Sequence, residues 1–113
     1  MRTHPTQATL PDAETMRAHA GDAARLLKAL ANERRLLVLC MLAEGELSVG
    51  EMNERLDLSQ SALSQHLAVL REEGLVNTRR EAQTIYYSLA EGPVHDIIQV
   101  LHRVYCGGDP ACP

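Results

Sequence analysis

Three cysteines carry the most reactive side chains in this sequence, and they lie at residues 40, 106 and 112. In a short chain, so few thiols are buried hydrophobes, metal ligands or redox-active groups rather than a disulfide scaffold. Cys40 lies within the apolar run LLVLCML (36–42), where a cysteine is usually part of the core. Cys106 lies where the last predicted helix meets two glycines, an unusual position for a residue that only packs, and Cys112 follows in the segment GGDPACP.

Two histidines, His95 and His102, are seven residues apart and therefore lie near one face of a predicted helix. Two imidazoles without a carboxylate partner make a weak zinc site, so we expect surface or interface histidines and predict neither a metal site nor a cofactor. The sequence also lacks Cys-x-x-Cys, a strand-helix-strand pattern and a glycine-rich phosphate loop. We therefore predict no catalytic residues and no enzyme activity.

The composition is that of one ordinary globular domain with an aliphatic core. The chain has 113 residues, of which 45% are hydrophobic and 23% charged, and it contains neither Phe nor Trp. No apolar run reaches the roughly 18 residues that span a bilayer, and the first residues lack a secretion signal, so we expect a cytoplasmic protein without a membrane partner. Because the net charge is −4, any nucleic-acid-binding surface must be local.

Apolar periodicity and capping signals predict five helices. The helices cover residues 13–30, 33–43, 48–56, 59–73 and 93–106. Asn32, Ser48 and Ser59 are the predicted N-caps, and Glu51 completes a capping box with Ser48. Gly45 ends the second helix, because only glycine enters the left-handed cap conformation without steric cost.

Two β-branched and aromatic runs, 75–78 and 84–89, flank a polar segment and predict a β-hairpin. The third and fourth helices, joined by a tight turn, predict a helix-turn-helix. The expected fold class is therefore mainly α with a small β-hairpin (α+β), a winged helix-turn-helix with five helices and a two-stranded wing. We expect the domain to span residues 13–106, with mobile tails at residues 1–12 and 107–113.

The fourth helix has the pattern of a DNA-binding helix. With about 100° per residue, Leu63, Leu67 and Leu70 fall on one side, and small hydroxyl and amide side chains fall on the other. Such side chains hydrogen-bond base edges and phosphates, and they let a helix lie deep in a major groove about 12 Å wide. Arg79 and Arg80, at the predicted hairpin tip, supply the charge for phosphate contacts. The predicted contacts on the helix are Ser59, Gln60, Ser61, Ser64, Gln65 and His66.

Three stretches of the sequence resemble the ArsR/SmtB family of bacterial winged-helix repressors. They are LLKALANERRLLVLCML (26–42), ELSVGEMNERLDLSQSALSQHLAVLREEGLV (46–76) and RREAQTIYYSL (79–89). The resemblance implies a homodimer, joined by its first and last helices, that binds double-stranded operator DNA with dyad symmetry and is released by an inducer. Apolar stripes on these two helices, which a lone chain of this size would struggle to cover, are consistent with such a dimer.

The resemblance also narrows the sensing chemistry. Soft-metal sensors of the family often carry cysteines in a pattern like ELCVCDL, and Ser48 and Gly50 occupy those positions here. Zinc sensors use a histidine where this chain has Pro93. Cys40 and Cys106 instead match the persulfide-responsive subgroup that includes BigR, SqrR and YgaV. That match implies that sulfane sulfur links the two thiols through a disulfide or a longer sulfur chain and shifts the dimer out of its DNA-binding shape.

Within that pair, the surroundings suggest which thiol attacks. His102 and Arg103 lie one turn before Cys106 and favour its thiolate, although the helix C-terminus opposes this, so Cys106 should capture the sulfur. Cys40, in its apolar run, should resolve it. Two alternatives stay open: a repressor that binds arsenite or a soft metal through the cysteine thiolates, and a winged helix whose polar helix binds another protein. A small thiol enzyme is a third hypothesis, but no motif in the sequence supports it.

Overall fold

Five helices and three strands lie within residues 13–107, the part of the chain that the computed structural model describes. In chain order they are α1 (Ala13–Leu30), α2 (Glu33–Glu44), β1 (Leu47–Ser48), α3 (Val49–Arg55), α4 (Gln60–Glu72), β2 (Val76–Glu81), β3 (Thr84–Leu89) and α5 (Pro93–Cys106). The predicted fold class, a mainly helical winged helix-turn-helix, is confirmed. The predicted N-terminal tail and residues 108–113 of the predicted C-terminal tail lie outside the described residues.

The predicted N-caps begin three of these helices. The Asn32 side chain accepts a hydrogen bond from the backbone N–H three residues on, at 3.0 Å. At the start of α3, the Ser48 hydroxyl accepts from the Glu51 N–H at 3.2 Å, and the Glu51 carboxylate accepts from the Ser48 N–H at 2.8 Å. The Ser59 hydroxyl accepts from the Ala62 N–H at 3.1 Å. These local bonds satisfy backbone donors that the first helical turn leaves unpaired, which is why the sequence alone located them.

The sheet has one strand more than the predicted two-stranded wing. Leu47 and Ser48 pair with Tyr87 and Tyr86, so the antiparallel sheet has the order β1-β3-β2. Gly45 ends α2 as predicted, but with φ 158° and ψ 170°, an almost extended conformation rather than the left-handed one. The chain therefore runs straight from α2 into β1. A strand of two residues has no periodicity that could have predicted it.

The hairpin turn is tighter than the polar sequence suggested. Glu81 pairs with Thr84, which leaves a turn of two residues. Ala82, the first of them, has φ 57°, a positive value that such short hairpin turns require. Arg79 and Arg80 consequently lie within β2, and their predicted position at the hairpin tip is wrong. Charged side chains are tolerated there because β2 is an edge strand with solvent-exposed positions.

One aliphatic core joins the helices to the sheet, as the composition predicted. Its largest fully buried side chains are Leu39, Met52, Leu63, Leu67, Leu70, Ile98, Val38 and Val94. Helix α2 is central and buries four residues, whereas the longer α1 buries only Ala29 and Leu30. Within residues 13–107 no helix is long and apolar enough to cross a lipid bilayer.

Candidate DNA-binding surface and thiol site

Helix α4 is held by one face and presents the other to solvent. Leu63, Leu67 and Leu70 have exposed fractions of 0%, 2% and 0%, so the predicted inner face is the real one. The opposite face is polar and exposed, and it carries Gln60, Ser61, Ser64 and Gln65. Because the leucines anchor the helix along its length, these side chains have a fixed direction and spacing.

The two remaining predicted contacts on this helix differ from the others. The Ser59 hydroxyl accepts the capping hydrogen bond and lies 3.3 Å from the Ser61 hydroxyl, so it already has protein partners. His66 is half-buried at the side of the exposed face. The outward surface of α4 is thus centred on its serine and glutamine side chains.

A groove of about 470 Å³ connects α4 to the hairpin turn. Gln60 and Ser64 line it from α4, residues 48–50 line it at the start of α3, and Gln83 and Thr84 line it from the turn and the start of β3. Nothing in the sequence distinguishes Gln83 or Thr84, because a polar residue in or beside a turn is ordinary. Their signal is positional: they flank the hairpin tip and face the same groove as the polar helix.

Arg79 binds carboxylates of its own chain. Its Nε and Nη2 donate to the two oxygens of Glu46, each at 2.7 Å, and its Nη1 donates to Glu81 at 3.1 Å. These hydrogen bonds lower the pKa of Glu46 and raise the pKa of Arg79 above its ordinary value. The guanidinium also lies over the Tyr86 ring, 4.6 Å from the centroid.

Arg80, the next residue, has a different environment. It is exposed, pairs across the ladder with Ile85, and forms no ion pair within residues 13–107. Successive side chains on a strand point to opposite faces, so the two arginines project from opposite sides of β2. The predicted pair of equivalent arginines is therefore one internally bound cation and one cation that faces solvent.

Cys40 borders a small cavity between α2 and α5. The cavity measures about 170 Å³ and is also lined by Glu44, Gln99 and His102. Cys40 is half-buried and carries a free thiol. Burial, and secondarily the negative charge of Glu44, raise the pKa of this thiol. At neutral pH it is therefore protonated and slow to react as a nucleophile.

Cys106 lies on the helix face that lines this cavity. It follows His102 by four residues and Gln99 by seven, spacings that place all three along one side of α5. Cys106 is half-buried and disulfide-bonded, whereas Cys40 is free, so the two predicted switch cysteines are not joined to each other here. Cys112 lies outside the described residues.

The histidines do not come together with other ligands. Among residues 13–107 there is no group of three or more His, Cys, Asp or Glu side chains that could hold a metal ion. The Nδ1 atom of His95 lies 3.9 Å from an Asp96 carboxylate oxygen, and His102 borders the cavity at Cys40.

Helices α1 and α5 carry large apolar side chains that the rest of residues 13–107 does not cover. Their exposed members, with exposed fractions, are Met16 (44%), Leu27 (57%), Val100 (44%), Val104 (64%) and Tyr105 (81%). Leu101, in the same predicted stripe, is instead partly buried against the core of its own protomer. Single apolar residues are normal on a surface, but three exposed ones within six residues at the end of α5 are what an interaction surface would require.

Known proteins are similar to this chain in both sequence and fold. The family described as bacterial regulatory protein, arsR family, matches residues 32–78, which include α2, α3 and α4. The transcriptional activator HlyU of Vibrio cholerae is 60% identical over 93 residues, which are 82% of this chain and 86% of that protein. A biofilm growth-associated repressor of Agrobacterium fabrum is 50% identical over 91 residues, 80% of this chain and 78% of that protein. The structure of reduced HlyU from Vibrio cholerae matches with a TM-score of 0.77 and 62% identity, covering 80% of this chain and 96% of that one.

Proposed function

The chain belongs to the ArsR family of bacterial regulatory proteins and is a DNA-binding transcriptional regulator; on that premise we propose a homodimeric repressor that leaves its operator when Cys40 and Cys106 react with a persulfide or polysulfide. One observation carries the sensing part of this proposal. The free thiol of Cys40 borders the same cavity as His102, one helical turn from Cys106. The relative HlyU of Vibrio cholerae adds support, since one of its solved structures is described as the reduced protein.

In the proposed complex, α4 lies in the major groove of double-stranded DNA. Ser61, Ser64 and Gln65 face the base edges, because they occupy the exposed side of a helix held from behind by three leucines. The groove between α4 and the hairpin turn follows one DNA strand, where Gln83 contacts a phosphate. Arg80, which is exposed on β2, contacts a further phosphate of the backbone. A regulator that binds operator DNA works where that DNA is, so the proposed function implies a cytoplasmic protein.

The dimer forms through the uncovered apolar surfaces of α1 and α5. These surfaces include Leu27, Val104 and Tyr105, which are more than half exposed in the single chain. A two-fold dimer places its two recognition helices about 34–36 Å apart, one turn of DNA, and therefore requires an operator with dyad symmetry.

The sensing reaction starts from the fully reduced protein. The Cys106 thiolate attacks the terminal sulfur of a persulfide R–S–SH, which forms a Cys106–S–SH group and releases the thiolate R–S⁻. The Cys40 thiol then attacks the inner sulfur of that group, forming a Cys40–Cys106 disulfide and releasing HS⁻ and a proton. With a polysulfide donor the same pair closes through a longer sulfur chain, which tolerates a greater separation than the 4.4–6.8 Å between Cα atoms of a direct disulfide.

The structural environments fit this order of events. A thiol with a raised pKa is a poor first nucleophile, so Cys40 serves as the resolving residue. Linkage would tie α2 to the C-terminal end of α5. Since α2 is the central core helix and α5 carries the proposed dimer surface, the link changes how the two recognition helices are spaced.

The test combines intact mass with DNA binding. Duplexes are first selected from a random-sequence library by the reduced protein. Fluorescence anisotropy and mass are then measured before and after treatment with cysteine persulfide, hydrogen peroxide or arsenite. We expect the persulfide to link Cys40 to Cys106 and to weaken binding. Cys40→Ser should gain one sulfur atom at Cys106 yet stay bound, and Cys106→Ser should hardly react.

Cys112→Ser is the matched control, and it should behave like the parent protein. If Cys112→Ser alone abolishes the response, or if stoichiometric arsenite releases DNA while persulfide does not, a three-thiol metal site replaces the persulfide switch. If no duplex is selected, the DNA-binding part of the proposal is wrong as well.

A further inference from the structure

The Arg79 side chain crosses the whole three-stranded sheet. It starts on β2, passes over the ring of Tyr86 on β3 at 4.6 Å, and ends at Glu46, which immediately precedes β1. Arg79 and Tyr86 are direct partners in the β2–β3 ladder, and Tyr86 pairs with Ser48 of β1. A single side chain therefore connects the outer strand of the wing to the segment that follows α2.

This contact is more specific than an ordinary surface ion pair. Two N–H groups of the guanidinium donate to the two oxygens of Glu46, each at 2.7 Å, in the bidentate geometry that matches a carboxylate. A third donates to Glu81 at 3.1 Å, so three of the five N–H donors of Arg79 are already used. The aromatic ring beneath the guanidinium fixes its plane.

We infer that Arg79 is a positioning residue that fixes the wing to the end of α2, and that of the two arginines only Arg80 contacts a DNA phosphate. Arg79 has carboxylate partners that compete with phosphate, whereas Arg80 is exposed and forms no ion pair within residues 13–107. This assignment reverses the expectation that the two arginines act alike.

The same contact links the wing to the thiol site. Cys40 and Glu44 lie on the last turns of α2, and Glu46 follows two residues after the helix ends. A movement of α2 is therefore transmitted to β2 through the Glu46–Arg79 pair. This second part rests on the proposed thiol switch, whereas the assignment of Arg79 does not.

Glu46→Ala distinguishes a phosphate-contacting role of Arg79 from a positioning role, because the two roles predict changes in DNA affinity of opposite sign. If Arg79 bound phosphate, removal of its competing carboxylate would free the guanidinium and remove a negative charge, so DNA would bind more tightly. If Arg79 positions the wing, Glu46→Ala and Arg79→Ala should each weaken binding to the selected duplex by about three- to tenfold. The double variant should be no weaker than either single one, since both remove the same contact.

The salt dependence of binding gives an independent readout. Arg80→Ala should reduce the slope of log K against log salt by about one unit per lost phosphate contact, whereas Arg79→Ala should leave the slope unchanged. Arg79→Lys keeps the charge but not the bidentate geometry, so it should weaken binding as Arg79→Ala does. A random-sequence duplex and a thermal melt control for non-specific charge and for folding.

Tighter or unchanged binding by Glu46→Ala, or a reduced salt slope for Arg79→Ala, would overturn the assignment. The link to the thiols is tested by persulfide treatment of Arg79→Ala. Intact mass should show the same product as in the parent protein, but the treatment should reduce DNA affinity by less than half the factor seen in the parent. An equal fold-loss contradicts the transmission through Arg79. If the parent protein itself does not respond to persulfide, the proposed switch fails while the Glu46→Ala result still decides the role of Arg79.

Discussion

Helices α4 and α5 have almost the same length, but within residues 13–107 only α4 leaves no large apolar side chain exposed. Helix α4 buries Leu63, Leu67 and Leu70 within its protomer and exposes a polar face. Helix α5 buries Val94 and Ile98 in its first half and leaves Val104 and other apolar side chains exposed towards its end.

In the proposed function, the difference separates the surface that contacts water and DNA from the surface that a second protomer covers. The energetic cost of the exposed α5 side chains is removed only when a second apolar surface packs on them. The proposed recognition surface therefore depends on the stability of one chain, while its pairing with a second such surface in the proposed dimer depends on α1 and α5. Substitutions in the two helices should consequently have different signatures.

The largest effect on stability should come from the α4 core. Leu67→Ala removes a side chain that is 2% exposed, so we expect a loss of about 2–5 kcal/mol in the free energy of unfolding. Urea unfolding at fixed protein concentration measures it. Ser64→Ala, on the exposed face of the same helix, is the matched control and should stay within about 0.5 kcal/mol of the parent. A loss below 1 kcal/mol for Leu67→Ala would mean that the core does not hold α4.

Substitutions on the exposed apolar side of α5 should change the oligomeric state of the protein rather than the stability of its fold. Val104→Glu places a charge in the proposed dimer surface, so sedimentation should show a monomer, and operator binding should weaken by at least about 100-fold because the two half-sites are no longer bound together. Arg103→Glu introduces the same side chain beside it on the polar face and should leave the dimer intact. A dimer that survives Val104→Glu would show that the α5 stripe is not the interface.

Substitutions on the exposed polar face of α4 should change the sequence specificity of DNA binding and not the stability of the fold. Gln65→Ala should weaken binding to the selected duplex by about 1–3 kcal/mol and to random DNA much less, if the side chain contacts a base edge. Competition anisotropy with both duplexes gives the two losses. Gln99→Ala removes the same side chain from α5 and should change neither. Equal losses on both duplexes for Gln65→Ala would make it a phosphate contact.

The smallest effect concerns the Cys40 thiol, which borders the cavity between α2 and α5. In a Cys106→Ser, Cys112→Ser background, Glu44→Gln should speed alkylation of Cys40 by iodoacetamide, because it removes a negative charge that raises the thiol pKa. The gain should stay below about tenfold, since burial, the larger cause, remains. Because the thiolate is the reactive form, the rate in both proteins should rise with pH until the pKa is passed. Superimposable pH profiles would mean that Glu44 does not act on Cys40.

Signals within a few residues were sufficient to predict most of the fold. The capping serines, the helical spacing of the apolar residues and the β-branched runs predicted five helices, the hairpin and the two faces of α4. Each of these signals acts through hydrogen bonds or packing between residues close in the chain, so each can be read directly from the sequence. Cys40 and Cys106 were singled out by position, although their roles as a switch stay predictions.

Contacts between distant residues were decided only by the tertiary structure. Strand β1 exists because Leu47 meets Tyr87, and no pattern in its own two residues predicts it. Arg79 and Arg80 are the same residue type at adjacent positions, yet Arg79 binds Glu46, 33 residues away, and Arg80 faces solvent. The reason is that a strand turns successive side chains to opposite sides. In the same way, Leu101 packs on its own core while Val104, one turn later, is exposed. Residue type and local period determine which side chains can share a face, but what that face meets depends on how the whole chain packs.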